Sequence, residues 1–64
     1  MPIARISIME GRTDEQKAAL IAAVTEAIHQ SVQAPYENIR VLLDEVPRSQ
    51  WGIGGKTALA LGKH

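Results

Sequence analysis

The chain has 64 residues and contains neither cysteine nor phenylalanine. Without cysteine it forms no disulfide and no zinc site of the zinc-finger type. It also lacks an excess of charge, since seven basic residues balance seven acidic ones, and no basic patch indicates nucleic acid or an anionic membrane. The longest apolar run, AALIAAV at residues 18–24, is far shorter than a membrane span, and no signal peptide is recognisable. We therefore expect a cytoplasmic protein with no nucleic-acid or membrane partner.

So short a chain buries only about 60% of the surface that its unfolded form exposes, which leaves an isolated domain marginally stable. Small domains compensate with disulfides, a metal ion or self-association. Disulfides are excluded here, and the chain has only two histidines, whereas 45% of its residues are hydrophobic. We expect residues 1–64 to form one domain that is an obligate oligomer.

Two segments have the alternating pattern of β-strands, and a helical pattern lies between them. Residues 2–9 form the first predicted strand, with one thoroughly apolar face, and residues 39–46 form the second. A strand, a long helix and a strand make a βαβ unit, in which the strands run parallel with a right-handed crossover. The glycine-rich tail predicts turns and a short hairpin. The predicted fold class is therefore α/β (α+β), a single βαβ unit with parallel strands plus a C-terminal β-hairpin.

The helix between the strands is predicted from Glu15 to about Gln33. Thr13 is its expected N-cap, and the side chain of Gln16 can reach back to the N–H of Thr13. The helix ends before Pro35, because a residue that precedes proline avoids the helical conformation. Its apolar stripe comprises Leu20, Ile21, Val24, Ala27, Ile28, Ser31 and Val32.

Two short patterns resemble functional sites without meeting their requirements. GGKT at residues 54–57 matches the end of a phosphate-binding loop, but Gln50 stands where that motif needs its first glycine. His29 and His64 have no partner at metal-ligand spacing. Both are therefore expected to be solvated, and no metal is predicted.

A proline directly behind the initiator methionine is tolerated at the start of a strand, where its missing N–H matters little. A small second residue also favours removal of Met1, which would leave Pro2 with a free secondary amine. An α-amino group has a pKa of about 7.7–8.0, and both an apolar pocket and neighbouring arginines lower that pKa. Such an amine is neutral at physiological pH and can act as a general base.

Arginines bind carboxylates through paired N–H donors, so a neutral base between two arginines suits a small dicarboxylate with an acidic C–H or enol O–H. Arginines stand at positions 5, 12, 40 and 48, and Trp51 can supply an apolar wall that excludes water. Structural roles stay open for each of these residues. Arg12 can be a turn residue, Arg40 a solvated strand residue and Trp51 an anchor between subunits.

The chain resembles the 4-oxalocrotonate tautomerases, the short-chain type of the tautomerase superfamily. The resemblance runs from end to end and rests on Pro2 after Met1, MEGRTDEQK at residues 9–17, AVTEAI at 23–28, AP at 34–35, IRV at 39–41 and WGIGG at 51–55. It implies the tautomerase β-α-β fold in a homohexamer, a trimer of dimers whose sites are shared between subunits. It also implies an isomerase that needs no cofactor and no metal.

The same resemblance implies roles for five residues. Pro2, as the mature N-terminus, is the general base. Arg12 binds the distal carboxylate of the substrate, and Arg40, from a neighbouring subunit, binds the proximal carboxylate and the 2-oxygen. Trp51 stands where the family has an aromatic wall, usually phenylalanine, and Met9 makes an apolar contact. The implied substrate is 2-hydroxymuconate, a 2-hydroxydienoate that is isomerised to its conjugated 2-oxo form.

Three other interpretations remain open. A dehalogenase or hydratase of the same superfamily, acting on haloacrylate-like acids, needs a carboxylate near the glycine-rich tail to position water. The absence of any Asp or Glu after Glu45 disfavours that activity. The chain can instead be an interaction or structural subunit without catalysis, or one of the two chains of a heterohexamer.

Overall fold

The computed structural model describes all 64 residues and confirms the predicted order of strand, helix and strand. Strand β1 spans Ile3–Met9, helix α1 spans Asp14–Val32 and strand β2 spans Arg40–Val46. The strands pair in parallel, with Ile3 opposite Arg40 at one end and Met9 opposite Val46 at the other. Single turns of 3-10 helix at Tyr36–Asn38 and Arg48–Gln50 lie on either side of β2.

Helix α1 begins at the predicted capping box. The N–H of Gln16 donates to Thr13 Oγ1 at 3.0 Å, and the N–H of Thr13 donates to Gln16 Oε1 at 2.9 Å. At the other end Gln33 adopts the left-handed conformation, with φ 59°, and its N–H donates to the carbonyl of His29 at 2.9 Å. Both ends therefore fall within one residue of the predicted ones.

Only part of the predicted apolar stripe of α1 is covered within the chain. Leu20, Val24 and Ile28 are half-buried, and α1 packs mainly against β2. The stripe positions left exposed are Ile21 (38%), Ala27, Ser31 and Val32 (64%). These positions stay exposed in the single chain because a sheet of two strands is too narrow to cover the whole apolar arc of the helix.

The two faces of the β1–β2 sheet differ in what covers them. The face towards α1 is half-buried or buried and consists of Pro2, Ala4, Ile6, Ile8, Ile39, Val41 and Leu43. On the outer face Ile3 lies beside Arg40, Arg5 beside Leu42 and Ser7 beside Asp44. No part of the chain covers these residues, and Ile3 and Leu42 expose 58% and 42% of their surface. This face is mixed in character, and the exposed Ile3 and Leu42 on it are candidates for contact with a second chain.

The glycine-rich tail confirms the predicted hairpin and adds a helix. Strand β3 (Gly52–Ile53) pairs in the antiparallel sense with β4 (Lys56–Thr57). Between them Gly54 and Gly55 take positive φ angles of 59° and 89°, which other residues rarely adopt. Helix α2 follows at Ala58–Leu61, where the sequence predicted only turns. Its signals were Thr57, whose Oγ1 accepts from the N–H of Ala60 at 3.0 Å, and the glycine after Leu61.

A single chain buries little of itself. Only Ile39 and Ala58 are buried. The radius of gyration is 14.5 Å, whereas a compact chain of this length has about 11 Å. The longest dimension is 42 Å and the shortest 13 Å, about the thickness of one sheet with one helix layer. These values agree with the expectation that the chain is stable only in association with other subunits. No helix is both long and apolar enough to cross a lipid bilayer.

Candidate active site

Pro2 lies immediately before β1, and the sheet fixes its main chain. Its carbonyl oxygen accepts a hydrogen bond of 3.0 Å from the N–H of Arg40, which extends the β1–β2 ladder by one step. Pro2 is half-buried on the face towards α1, while Met1 before it is 77% exposed. Met1 is therefore accessible to removal, and the amine that its removal frees belongs to a residue already held in place.

Arg40 is the first residue of β2, and its exposed side chain belongs to the outer face of the sheet. Its Nη1 donates to the carbonyl oxygen of Glu37 at 2.7 Å and to that of Ile39 at 3.4 Å. The guanidinium makes no ion pair and no hydrogen bond to another side chain. The main chain thus orients the group and leaves Nε and Nη2 free to bind a carboxylate in the paired geometry.

Arg12 lies in the loop between β1 and α1, beside a groove of about 260 Å³. The other residues that line the groove are Ile8, Gln16, Lys17 and Leu20. Lys17 is already neutralised, since its Nζ lies 2.9 Å from Glu45 Oε1 and 3.4 Å from Asp14 Oδ1. The hydrogen bond to Glu45 is the main reason why the pKa of Lys17 is raised. Arg12 forms no ion pair, so it is the cation of the groove that remains available to an anion.

The candidate residues form two groups at opposite ends of the sheet. Pro2 and Arg40 lie at the amino ends of the strands, and we call them the amino-end half-site. Met9 and Arg12 lie at and just beyond the carboxyl end of β1, and we call them the carboxyl-end half-site. Seven residue steps along the strand separate Pro2 from Met9, which at about 3.3 Å per step is about 23 Å. One chain therefore cannot bring Pro2 and Arg12 to the same small substrate.

Trp51 is half-buried at the start of the hairpin, a few residues beyond the carboxyl end of β2. Its N–H donates to the carbonyl of Arg48 at 3.4 Å, and its carbonyl accepts from the N–H of Ala58 at 2.7 Å. The main chain on both sides of the indole is thus held. Of the residues expected at the site, Trp51 belongs neither to the amino-end half-site nor to the groove at Arg12.

Two further arginines lie outside both half-sites. Arg5 is exposed on the outer sheet face, opposite Leu42. Arg48 is used structurally, because its Nε donates to the carbonyl of Lys63 at 2.8 Å and its N–H donates to Glu10 Oε1 at 3.3 Å. Arg48 therefore joins the C-terminus to the loop that follows β1.

A cluster at the C-terminal end of α1 was missed in the sequence. The ring of His29 stacks on that of Tyr36, with centroids 3.8 Å apart and planes inclined by 19°. The hydroxyl of Tyr36 donates to Glu26 Oε2 at 2.7 Å, and Gln30 Nε2 donates to Glu26 Oε1 at 2.8 Å. His29 Nδ1 lies 2.7 Å from the carbonyl oxygen of Ala34. The expectation that His29 is simply solvated is therefore wrong.

Hydrogen bonding shifts two pKa values in this cluster. The bonds that Glu26 accepts from Gln30 and Tyr36 favour its charged form and lower the pKa of its carboxyl group. The same contact raises the pKa of the Tyr36 phenol, since the hydroxyl proton is held by a carboxylate. The spacing of Glu26, His29 and Gln30 on one helix face was the available signal, but their aromatic partner follows a proline and lies outside the helix.

The chain is similar to known proteins over nearly its whole length. It matches the family model of the tautomerase enzymes over residues 2–59. It is 52% identical over 63 residues to the 2-hydroxymuconate tautomerase of Stutzerimonas stutzeri, which covers 98% of this chain and 100% of that protein. A solved 4-oxalocrotonate tautomerase isozyme from Methylibium petroleiphilum is 53% identical, with a TM-score of 0.94, over 97% of this chain and 100% of that one. A heterohexameric 4-oxalocrotonate tautomerase from Chloroflexus aurantiacus is 36% identical, with a TM-score of 0.91, over 95% and 98%.

These similarities extend over nearly the whole chain and confirm the β-α-β fold. The matched segment begins at Pro2 and includes both half-sites and Trp51. The chain belongs to the tautomerase family and is an isomerase.

Proposed function

We propose that this tautomerase isomerises 2-hydroxymuconate, converting the 2-hydroxydienoate into its conjugated 2-oxo form. The observation that carries the proposal is identity of about half of the residues, over nearly the whole chain, with relatives that are named 2-hydroxymuconate tautomerase. The arrangement of the candidate residues agrees with it, since a secondary amine and unpaired arginines suit a dicarboxylate that exchanges a proton between oxygen and carbon.

In this proposal Pro2 is the general base. Once Met1 is removed, the ring nitrogen becomes a secondary amine that takes the proton of the 2-hydroxyl group and returns a proton to a carbon of the dienol. The half-buried position of Pro2 disfavours its ammonium form, so a large neutral fraction is expected at physiological pH. A positioned general base typically accelerates proton transfer by about 10²–10⁴-fold.

The arginines hold the substrate. Arg40 binds the proximal carboxylate and the 2-oxygen through the donors that the main chain leaves free, and Arg12 binds the distal carboxylate. Both also stabilise the negative charge that spreads over the dienolate as the proton leaves. Trp51 and Met9 supply apolar surface that keeps water away from the amine. The steps need no metal ion and no cofactor.

The site draws on more than one chain. Pro2 and Arg12 of one chain lie at opposite ends of β1, a strand about 23 Å long, so Pro2 of one subunit must meet Arg12 of another. The open outer sheet face provides a surface for that association. We propose a homohexamer, a trimer of dimers, and the heterohexameric relative defines the alternative assembly. Native mass spectrometry of the purified complex distinguishes one kind of chain from two.

The test is to follow the ketonisation of 2-hydroxymuconate by ultraviolet absorbance across pH, with protein whose mass shows that Pro2 is the first residue. We expect rapid turnover that declines at acid pH, with the limb below the ordinary α-amino pKa of about 7.7–8.0. The matched control is the same chain with Met1 retained by inhibiting methionine removal during expression. Its Pro2 nitrogen is an amide, so activity is expected to fall by about 10²–10⁴-fold.

Two outcomes would contradict different parts of the proposal. No turnover above the buffer rate, with Pro2 free and the oligomer intact, overturns the substrate. Equal turnover by the trimmed and untrimmed forms overturns Pro2 as the base and leaves the substrate standing.

A further inference from the structure

A cluster of side chains holds the segment that leads from α1 into β2. It consists of Glu26, His29, Gln30 and Tyr36, and we call it the Glu26 cluster. The ring of His29 covers that of Tyr36 at 3.8 Å, and its Nδ1 contacts the carbonyl of Ala34. Glu26 accepts the hydroxyl of Tyr36 at 2.7 Å, and Gln30 orients Glu26 through its other oxygen. The connection between helix and strand is thus held at two successive points by one face of α1.

The segment held by this cluster is the one that orients Arg40. Tyr36 opens the 3-10 turn Tyr36–Asn38, and its carbonyl accepts the N–H of Ile39 at 3.1 Å. The next carbonyl, that of Glu37, accepts Arg40 Nη1 at 2.7 Å. A series of contacts therefore connects Glu26 on α1, through the phenol of Tyr36 and the 3-10 turn, to the guanidinium of Arg40. No side chain forms a hydrogen bond or an ion pair with the Arg40 guanidinium within the chain.

We propose that Tyr36, held by Glu26, is a positioning residue that fixes the turn and so aims the guanidinium of Arg40 at the substrate carboxylate. The inference rests on the proposed function, in which Arg40 binds that carboxylate. Tyr36 itself touches no substrate. It acts because a displacement of the Glu37 carbonyl carries the guanidinium with it.

The cluster suits positioning better than stabilisation. Glu26 and Tyr36 are exposed, so solvent screens the contact with the carboxylate and reduces what it adds to the stability of the fold. The geometry of a bound carboxylate is more demanding, since a misplacement of about 1 Å can cost about 10²-fold in rate. We therefore expect that replacing Tyr36 changes the free energy of unfolding little and clearly weakens substrate binding.

The test is a double-mutant cycle with Tyr36→Phe, Arg40→Ala and the double variant, assayed with 2-hydroxymuconate on the intact oligomer. Tyr36→Phe keeps the ring that stacks on His29 and removes only the hydroxyl. We expect it to raise KM and to lower kcat/KM by about tenfold, within the range that small misplacements cause. In the Arg40→Ala background the same change is expected to have no further effect, since there is no guanidinium left to aim. A merely structural defect would reduce the number of active sites and lower kcat at unchanged KM.

Two further variants connect the effect to Glu26. Glu26→Ala is expected to match Tyr36→Phe, and Glu26→Gln to recover most of the loss, because its amide oxygen can still accept the hydroxyl. Glu15→Ala is the matched control, since Glu15 is an exposed glutamate of α1 that makes no hydrogen bond or ion pair, and it is expected to behave as wild type. The Glu26 variants also report on the contact if Tyr36→Phe does not assemble.

Each result of the double-mutant cycle supports or overturns a specific part of the proposal. Additive losses in the cycle, or a Tyr36→Phe variant with wild-type KM, overturn the positioning role while the proposed function stands. An Arg40→Ala variant with wild-type kcat/KM overturns the proposed role of Arg40, and the positioning role falls with it. Non-additive losses with a raised KM support both.

Discussion

The N–H of Arg40 donates to the carbonyl of Pro2 at 3.0 Å, yet the alternation of the two strands puts their side chains on opposite faces of the sheet. These two residues, joined by a backbone hydrogen bond, therefore present their side chains to two different surfaces. In the proposed function, a site that uses both residues would therefore be built from neighbouring chains.

The first prediction concerns sites that are shared between chains. Chains with an acylated Pro2 have no base, and Arg12→Ala chains are expected to lose about 10- to 100-fold in kcat/KM, as a charge-assisted hydrogen bond contributes about 1.5–3 kcal/mol. Refolding equal amounts of the two from denaturant is expected to restore about a quarter of the wild-type sites, since each site draws both residues at random. The measurement is the turnover of 2-hydroxymuconate by the mixture and by each chain refolded alone.

Mixed oligomers seen by native mass spectrometry without any recovered activity would contradict the shared site. Recovery would not follow if Pro2 and Arg12 had to come from the same chain.

The second prediction is that stability depends on protein concentration. Only Ile39 and Ala58 are buried within one chain, so most apolar burial must come from subunit contacts. The midpoint of thermal unfolding is expected to rise as concentration increases over about two orders of magnitude, because association removes folded monomer by mass action. Circular dichroism at several concentrations measures it, and an unchanged midpoint would show that the single chain is stable by itself.

The third prediction concerns the capping box of α1. Thr13→Ala removes the oxygen that accepts the N–H of Gln16, and it is expected to lower the free energy of unfolding by about 1 kcal/mol. Urea unfolding at one fixed chain concentration provides the measurement. Ser31→Ala, at an exposed position inside the same helix, is the control and is expected to change the value by less than about 0.5 kcal/mol. Equal effects of the two variants would contradict the capping role of Thr13.

The fourth prediction concerns the pH dependence of the Glu26–Tyr36 contact. Tyr36 is the only tyrosine, so the absorbance of phenolate reports its titration alone. Its pKa is expected above the ordinary value of 10.0, and Glu26→Gln is expected to bring the pKa back down. A raised pKa in the folded state means that this contact stabilises the protein below pH about 10 and is lost as pH rises through the folded pKa. Identical titration curves for wild type and variant would contradict the contact.

The contribution of Glu26 to stability is lost at low pH, whereas that of Tyr36 is lost at high pH. Its pKa is lowered in the folded state, so the stabilisation is present above its ordinary pKa of 4.5 and is lost as pH falls through the folded pKa. The Tyr36 contact is therefore expected to persist over the whole range in which the enzyme would work.

The main elements could be predicted from the sequence because their signals are local and long. The capping box at Thr13, the helical spacing and the alternation in both strands set α1, β1 and β2 to within one or two residues. Helix α2 was missed because four residues are too few to show a helical period. His29 was misjudged for a related reason, since its partner Tyr36 lies beyond a proline and outside the helix that carries it.

For the candidate site, too, one part could be predicted from the sequence and another part could not. The residues of the site followed from the resemblance to the 4-oxalocrotonate tautomerases, and their catalytic roles remain predictions. Their placement did not follow, because spacing along the chain does not tell whether Pro2 and Arg12 converge or lie at opposite ends of one strand.

The sequence by itself determined the order of the elements, the parallel pairing and the set of polar groups available for proton transfer, since these depend on local propensity and on residue chemistry. Only the tertiary structure decided that Arg40 is oriented by the turn after Pro35, that Pro2 and Arg12 lie at opposite ends of β1, and that one sheet face is left open. Distances between residues remote in the chain depend on how the helix packs on the strands, and packing is a property of the folded molecule as a whole.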